Sequence, residues 1–150
     1  NLPGLCVIHG DYRLDNMLLQ NQTKIEALID WELSTLGPAF IDLSYWCAML
    51  RMEAHWPIGG LGDVDRAILG IPSEKNLIDQ FCTKTGYLKP KNWEALIAFQ
   101  CFRFAAILQG VLKRHLDGNA SAYNAEKVGG QAAPMAKLGA SILRSYLGTL

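Results

Sequence analysis

The sequence predicts an α+β fold, mainly α, on three observations. Short apolar runs of strand length occupy residues 5–8, 17–19 and 25–29, parted by polar segments. Beyond Phe40 the apolar residues recur at helical spacing over longer stretches. Gly, Pro and Asn residues punctuate the junctions between these segments.

The elements follow in order. Residues 5–8 read as a strand and residues 9–16 as a polar loop. Residues 17–19 form a second strand, Gln20-Asn21-Gln22-Thr23-Lys24 a turn, and residues 25–29 a third strand hairpinned to the second. That pairing brings Asp30, just past one strand end, near Asn16, at the start of the other. Residues 34–38 read as a loop punctuated by Gly37-Pro38, and residues 40–54 as a buried helix. Residues 56–71 hold four glycines and one proline, with Pro72 just beyond, and read as a long loop, a length that often serves function. Ser73 caps a helix that sets Leu77, Ile78 and Phe81 on one face and stops at Gly86. Asn92 caps the next, Trp93 to about Leu116, whose last turn carries Lys113, Arg114 and His115 as a complement to the helix dipole. Gly129-Gly130 interrupts the tail. A final helix begins near Pro134, with Met135, Leu138, Ile142 and Tyr146 on one stripe.

Composition narrows the function. The chain of 150 residues is one domain's worth, and its 50% hydrophobic content excludes disorder. Fourteen basic residues balance 14 acidic ones, so nothing favours electrostatic capture of nucleic acid or an anionic membrane. The most apolar run, residues 96–112, contains Gln100, Arg103 and Gln109. An arginine at mid-span costs about 2.5–3.5 kcal/mol on insertion scales, so the run reads as a buried helix rather than a membrane span. Cys6, Cys47, Cys82 and Cys101 form no C-x-x-C pair and sit in apolar segments, which reads as buried thiols in a reducing, cytoplasmic or organellar, compartment. The sequence opens on Asn1 and reaches a strand by Leu5, with no secretory leader and no lead-in element. This is the pattern of a piece of a longer protein.

Chemistry concentrates in His9-Gly10-Asp11-Tyr12-Arg13-Leu14-Asp15-Asn16 and in Ile29-Asp30-Trp31-Glu32. Two apolar runs each deliver an aspartate at an exit, and the first adds an asparagine five residues later. Two bare carboxylates about 4 Å apart repel by roughly 4 kcal/mol at an effective dielectric of 20. A hard cation, with Arg13 nearby, relieves that. Magnesium takes one or two carboxylates together with phosphates and water. Asp11, Asn16 and Asp30 thus have the chemistry of a phosphoryl-transfer site, where positioning and charge neutralisation matter most. Gly59-Gly60-Leu61-Gly62 follows no strand into a helix and reads as a loop, not a phosphate cradle.

These motifs resemble the catalytic loop and metal-binding motif of the aminoglycoside phosphotransferase and choline kinase-like families, distant relatives of protein kinases. The longer texts Asp30-Trp31-Glu32-Leu33-Ser34-Thr35-Leu36-Gly37, Gly70-Ile71-Pro72-Ser73-Glu74 and Ile107-Leu108-Gln109-Gly110-Val111 resemble phosphotransferase domains fused to, or beside, acyl-CoA dehydrogenases. The resemblance implies a protein kinase-like C-terminal lobe over residues 1–150. A short β-hairpin would carry the catalytic and metal-binding loops. The smaller nucleotide-clamping lobe would lie outside this chain, which alone would be inactive. ATP and Mg2+ are implied as co-substrate and cofactor, with a hydroxyl-bearing small molecule as acceptor: a hydroxyacyl-CoA-type metabolite or an aminoglycoside-like one.

Residue by residue, the resemblance implies Asp11 as catalytic base and Asn16 and Asp30 as magnesium and nucleotide ligands. His9 would brace the loop, and Asp42 would hold the loop backbone from the following helix. Arg13 stands where protein kinases often place a lysine near the transferred phosphate, and Glu32 would assist the metal through water. One departure is visible: where the family commonly reads Gly-Asp-Pro, this chain has Gly37-Pro38-Ala39. Two rival functions stand beside the kinase. One is a catalytically silent ligand- or partner-binding module. The other is a metal-dependent hydrolase, for which no G-x-S-x-G elbow or H-E-x-x-H helix is present.

Overall fold

The computed structural model describes residues 5–119 and 124–149. Residues 1–4, where the sequence shows no lead-in element, lie outside them. Among the described residues two small antiparallel sheets precede five α-helices. Strand β1 (Leu5–Ile8) pairs with β4 (Thr35–Pro38), Leu5 opposite Pro38 and Ile8 opposite Thr35. Strand β2 (Met17–Gln20) pairs with β3 (Lys24–Leu28) as a hairpin, with a bulge between Leu18 and Leu19.

Strand β4 replaces the loop expected at residues 34–38. Its Gly-Pro end hides the strand in sequence, yet the geometry needs Gly37 and tolerates Pro38. A side chain at Gly37 would come within 2.8 Å of Ile8 Cδ1, and Pro38 sits at the strand's last position, where a missing N–H does little harm. Between the strands the chain makes two single 3-10 turns, Leu14–Asn16 and Trp31–Leu33.

Helix α1 (Phe40–Met49) ends before the expected Ala54. Residues 50–52 tighten into i→i−3 bonds, with Leu50 N donating to Cys47 O and Arg51 N to Ala48 O. The reason lies in Arg51, whose guanidinium grips Glu74 (2.6 and 2.8 Å) and Glu94 (2.5 and 3.0 Å). Trp93 Nε1 donates to the same Glu74 at 2.7 Å. This cluster ties the end of α1 to the starts of α2 (Glu74–Thr85) and α3 (Trp93–Leu116). Ser73 Oγ caps α2 by accepting from Asn76 N, and Gly86 closes it at φ 75°. Asn92 precedes α3, but its side chain makes no capping bond.

Residues 56–71 form no helix or strand. Two of their glycines pack against the chain: Gly62 N donates to Met52 O at 2.6 Å, and a side chain on Gly60 would collide with that same carbonyl. A short α4 (Ala125–Gly129), which the sequence does not reveal, precedes α5 (Ala132–Leu147). The last helix starts two residues before Pro134, which falls in the first turn where no N–H is needed.

Helix α3 is central and packs against α1, α4 and α5. By length and composition it could cross a membrane. Here its face of Ile97, Cys101, Phe104 and Leu108 joins Tyr45, Met52 and Met135 in the core. Gln100, fully buried on that face, donates to Ile41 O and Ser44 Oγ. All four cysteines are free; Cys47 and Cys101 are fully buried, while Cys6 and Cys82 are half-buried.

Candidate active site

The loop leaving β1 is held from three sides. Asp42, in the first turn of α1, accepts the His9 amide at 2.7 Å and the Gly10 amide at 2.9 Å, one on each carboxylate oxygen. Gly10 has φ 84°, and a Cβ there would meet Leu33 O at 2.5 Å, so only glycine fits. Its carbonyl accepts from Arg103 Nη2 of α3 at 2.8 Å.

His9 is buried and joins the two candidate loops. Its Nδ1 accepts from the Asp11 amide at 3.2 Å, and its Nε2 lies 2.9 Å from Ile29 O. An amide can only donate and a carbonyl only accept, so the geometry requires the Nε2–H tautomer. The His9 ring also lies 4.6 Å, centroid to centroid, from Trp31.

Asp11 is fixed through both oxygens. Asn16 Nδ2 donates to Asp11 Oδ2 and to Asp11 O, each at 2.9 Å. The Tyr45 hydroxyl, from α1, donates to Asp11 Oδ1. Burial, and then the bond to Asp11, push the Tyr45 phenol well above its ordinary range, so it keeps its proton. The Tyr45 ring stacks on Phe104 at 4.4 Å, and Arg103 lies 5.5 Å over the ring.

Asp30 caps the second 3-10 turn in the left-handed region, φ 64° and ψ 58°, a conformation few non-glycine residues adopt. Ile29 N donates to Asn16 O at 3.0 Å, so Asn16 and Asp30 lie on adjoining backbone. Among the described residues no hydrogen bond or ion pair engages the Asp30 carboxylate. Arg13 pairs with Asp15 at 2.7 Å rather than with Asp11, and its Nε is buried without a partner.

A magnesium ion can be tested against these donors. Asn16 spends Nδ2 on Asp11, and no bond engages its Oδ1 among the described residues. The Asp30 carboxylate is likewise unspent. Two hard oxygens on adjoining backbone suit an ion that takes its remaining ligands from phosphate and water. Among the described residues no three His, Cys, Asp or Glu side chains cluster into an all-protein metal cage.

A cavity of about 530 Å³ opens beside this loop, with Asp11, Arg13, Asp15 and Glu32 among its lining. Most of the remaining wall is apolar, from Met49 and Met52, Ile58 of the long loop, Phe104 and Leu108 of α3, and Val128 of α4. A larger groove of about 780 Å³ lies between the hairpin, α1 and α2, and does not include Asp11.

Residues 1–70 match the sequence profile of the phosphotransferase enzyme family. The match covers 70 of the chain's 150 residues, the part that carries Asp11, Asn16 and Asp30. The chain is 41% identical over 134 residues to acyl-CoA dehydrogenase family member 10 of Mus musculus, covering 88% of this chain and 12% of that protein. It is 32% identical over 148 residues to acyl-CoA dehydrogenase family member 11 of Rattus norvegicus, covering 97% and 19%. It is 34% identical over 122 residues to probable acyl-CoA dehydrogenase IBR3 of Arabidopsis thaliana, covering 77% and 15%. The chain therefore spans less than a fifth of these relatives' lengths. No solved structure matches it.

Two residues of this candidate site escape sequence reasoning. Tyr45 follows Asp42 by one helical turn, so both face the loop. Arg103 is the lone charge in the apolar run 96–112, and a charge kept there signals a buried partner; that partner is Gly10 O.

Proposed function

We propose that this chain is the catalytic, C-terminal lobe of a protein kinase-like phosphotransferase that moves the γ-phosphate of ATP to a hydroxyl of a small molecule. The observation that carries this reading is the Asp11 carboxylate, oriented by Asn16 and Tyr45 at an apolar cavity. Asp11 receives the acceptor hydroxyl's proton as the new oxygen–phosphorus bond forms. The bond from phosphorus to the ADP oxygen breaks, and ADP leaves with the electron pair. Asn16 Oδ1 and the Asp30 carboxylate would hold Mg2+, which supplies positive charge against the transferring phosphoryl group. Arg13, on the cavity lining with its Nε unspent, would meet the transferred phosphate.

The cavity lining favours one acceptor class. An aminoglycoside is a polycation that needs acidic and polar walls, whereas this cavity is mostly apolar beneath an acidic edge. A hydroxyacyl-CoA-type acceptor suits it: the hydroxyl at Asp11, the acyl chain among Met49, Met52 and Leu108. A nucleotide-clamping lobe beyond this chain would cover the sheets and the first 3-10 turn, where Val7, Leu18, Leu36 and Leu14 are each more than half exposed. The relatives' names support a fused or neighbouring acyl-CoA dehydrogenase as partner.

The test is ATP-dependent phosphorylation by the full-length protein, with Mg2+, of hydroxyacyl-CoAs, kanamycin and choline in parallel. Turnover of the hydroxyacyl-CoAs above the other two is expected. No phosphotransfer to any acceptor overturns the reading.

A further inference from the structure

Helix α1 grips the loop twice. Asp42 holds its backbone, and Tyr45, one turn on, holds the side chain of Asp11. The second grip is not explained by packing. Tyr45 is 1% exposed, and its ring stacks on Phe104 as a phenylalanine would. A buried hydroxyl costs stability unless it is bonded, and this one is spent on Asp11 Oδ1. Asn16 occupies the other oxygen, so rotation of the carboxylate breaks one bond or both.

The ring is itself braced. Arg103 lies over it while bonded to Gly10 O and to Gln100 Oε1 at 2.9 Å, and Gln100 bonds back to α1 through Ile41 O and Ser44 Oγ. Helices α1 and α3 thus converge on one carboxylate through a closed set of polar contacts. The phenol also lines the cavity assigned to the acceptor.

We infer that Tyr45 is a positioning residue for phosphoryl transfer, its hydroxyl setting the Asp11 carboxylate plane toward the acceptor hydroxyl. This rests on the phosphotransferase reading above. Tyr45 neither binds the acceptor's reacting oxygen nor moves the proton; it acts through Asp11. Its loss misorients Asp11 and touches the bond-making step, not nucleotide capture.

The experiment compares full-length wild type, Tyr45→Phe and Asp11→Asn, using ATP, Mg2+ and the hydroxyacyl-CoA turned over fastest by wild type. Tyr45→Phe keeps the ring, its stack and the cavity wall. The expected result is a kcat lowered about 10- to 100-fold, as for a misplaced reacting group, with KM for both substrates and ADP binding within twofold of wild type. A kcat within twofold of wild type while Asp11→Asn is inactive overturns the role of Tyr45 and leaves the phosphotransferase reading standing. A Tyr45→Phe protein that no longer binds ADP makes the hydroxyl a folding group and also overturns it. Wild type inert toward every acceptor removes the reading itself, and this inference with it.

Discussion

Asn16 Nδ2 donates to Asp11 twice, to the main-chain oxygen and to carboxylate Oδ2, each at 2.9 Å. One amide thereby orients the candidate base and turns its own oxygen away as a candidate metal ligand. Asn16→Ala removes both roles. In the full-length protein we expect kcat to fall at least 100-fold and the Mg2+ concentration for half-maximal rate to rise several-fold. Initial rates across a Mg2+ titration check this; an unchanged Mg2+ dependence counts against Asn16 as a ligand.

Asp42 offers a test of the scaffold. Asp42→Ala strips the acceptors from two amides whose residues, His9 and Gly10, are buried. Each unsatisfied donor costs about 1–3 kcal/mol, so a loss of about 2–6 kcal/mol is expected by urea denaturation. A loss under 0.5 kcal/mol would mean that water or a shifted loop replaces both bonds.

The limits of sequence reading are instructive at these positions. Strand β1, the hairpin and helices α2 and α3 announce themselves through local signals: strand-length apolar runs, the Ser73 cap, the Gly86 stop and a long apolar stretch. Strand β4 does not, because its partner β1 is about thirty residues away and its own text ends in Gly37-Pro38. Helix α1 stops early for Arg51, whose partners Glu74 and Glu94 belong to other helices. Tyr45 is invisible for the same reason: its hydroxyl partner is 34 residues distant. Asp11, Asn16 and Asp30 stand out in sequence because of their residue types, and the closeness of Asn16 to Asp30 follows from one hairpin.

The Arg51 cluster implies a pH dependence. Burial opposes ionisation of Glu74, but hydrogen bonds from Arg51 and Trp93 outweigh it and hold its carboxyl below the ordinary range. A depressed folded pKa contributes stability above the unfolded value, about 4.3, and that contribution is lost as pH falls through the folded one. Melting temperature should therefore drop as pH falls below about 4.3. Glu74→Gln should lower stability at pH 7 and flatten that acid slope. An equally steep slope in the variant would place the acid sensitivity elsewhere.

Burial pushes the Cys47 thiol up to about 12 and the Cys101 thiol up to about 11. Both should resist alkylation by iodoacetamide at pH 8 in the native protein and react on denaturation, while half-buried Cys6 and Cys82 react first. Peptide mass mapping after timed labelling reads this directly. Native labelling of Cys47 at the rate of Cys82 would contradict the packing of α1 against α3.

The central claim is that Asn16 and Asp30 share one divalent ion beside Asp11. The most direct measurement is a crystal structure of the full-length protein with Mn2+ and a non-hydrolysable ATP analogue, with the metal located by anomalous scattering. The account predicts one metal about 2.0–2.3 Å from both Asn16 Oδ1 and an Asp30 carboxylate oxygen, with the γ-phosphate facing Asp11. A metal bound away from both side chains, with Asp11 turned from the nucleotide, would contradict it.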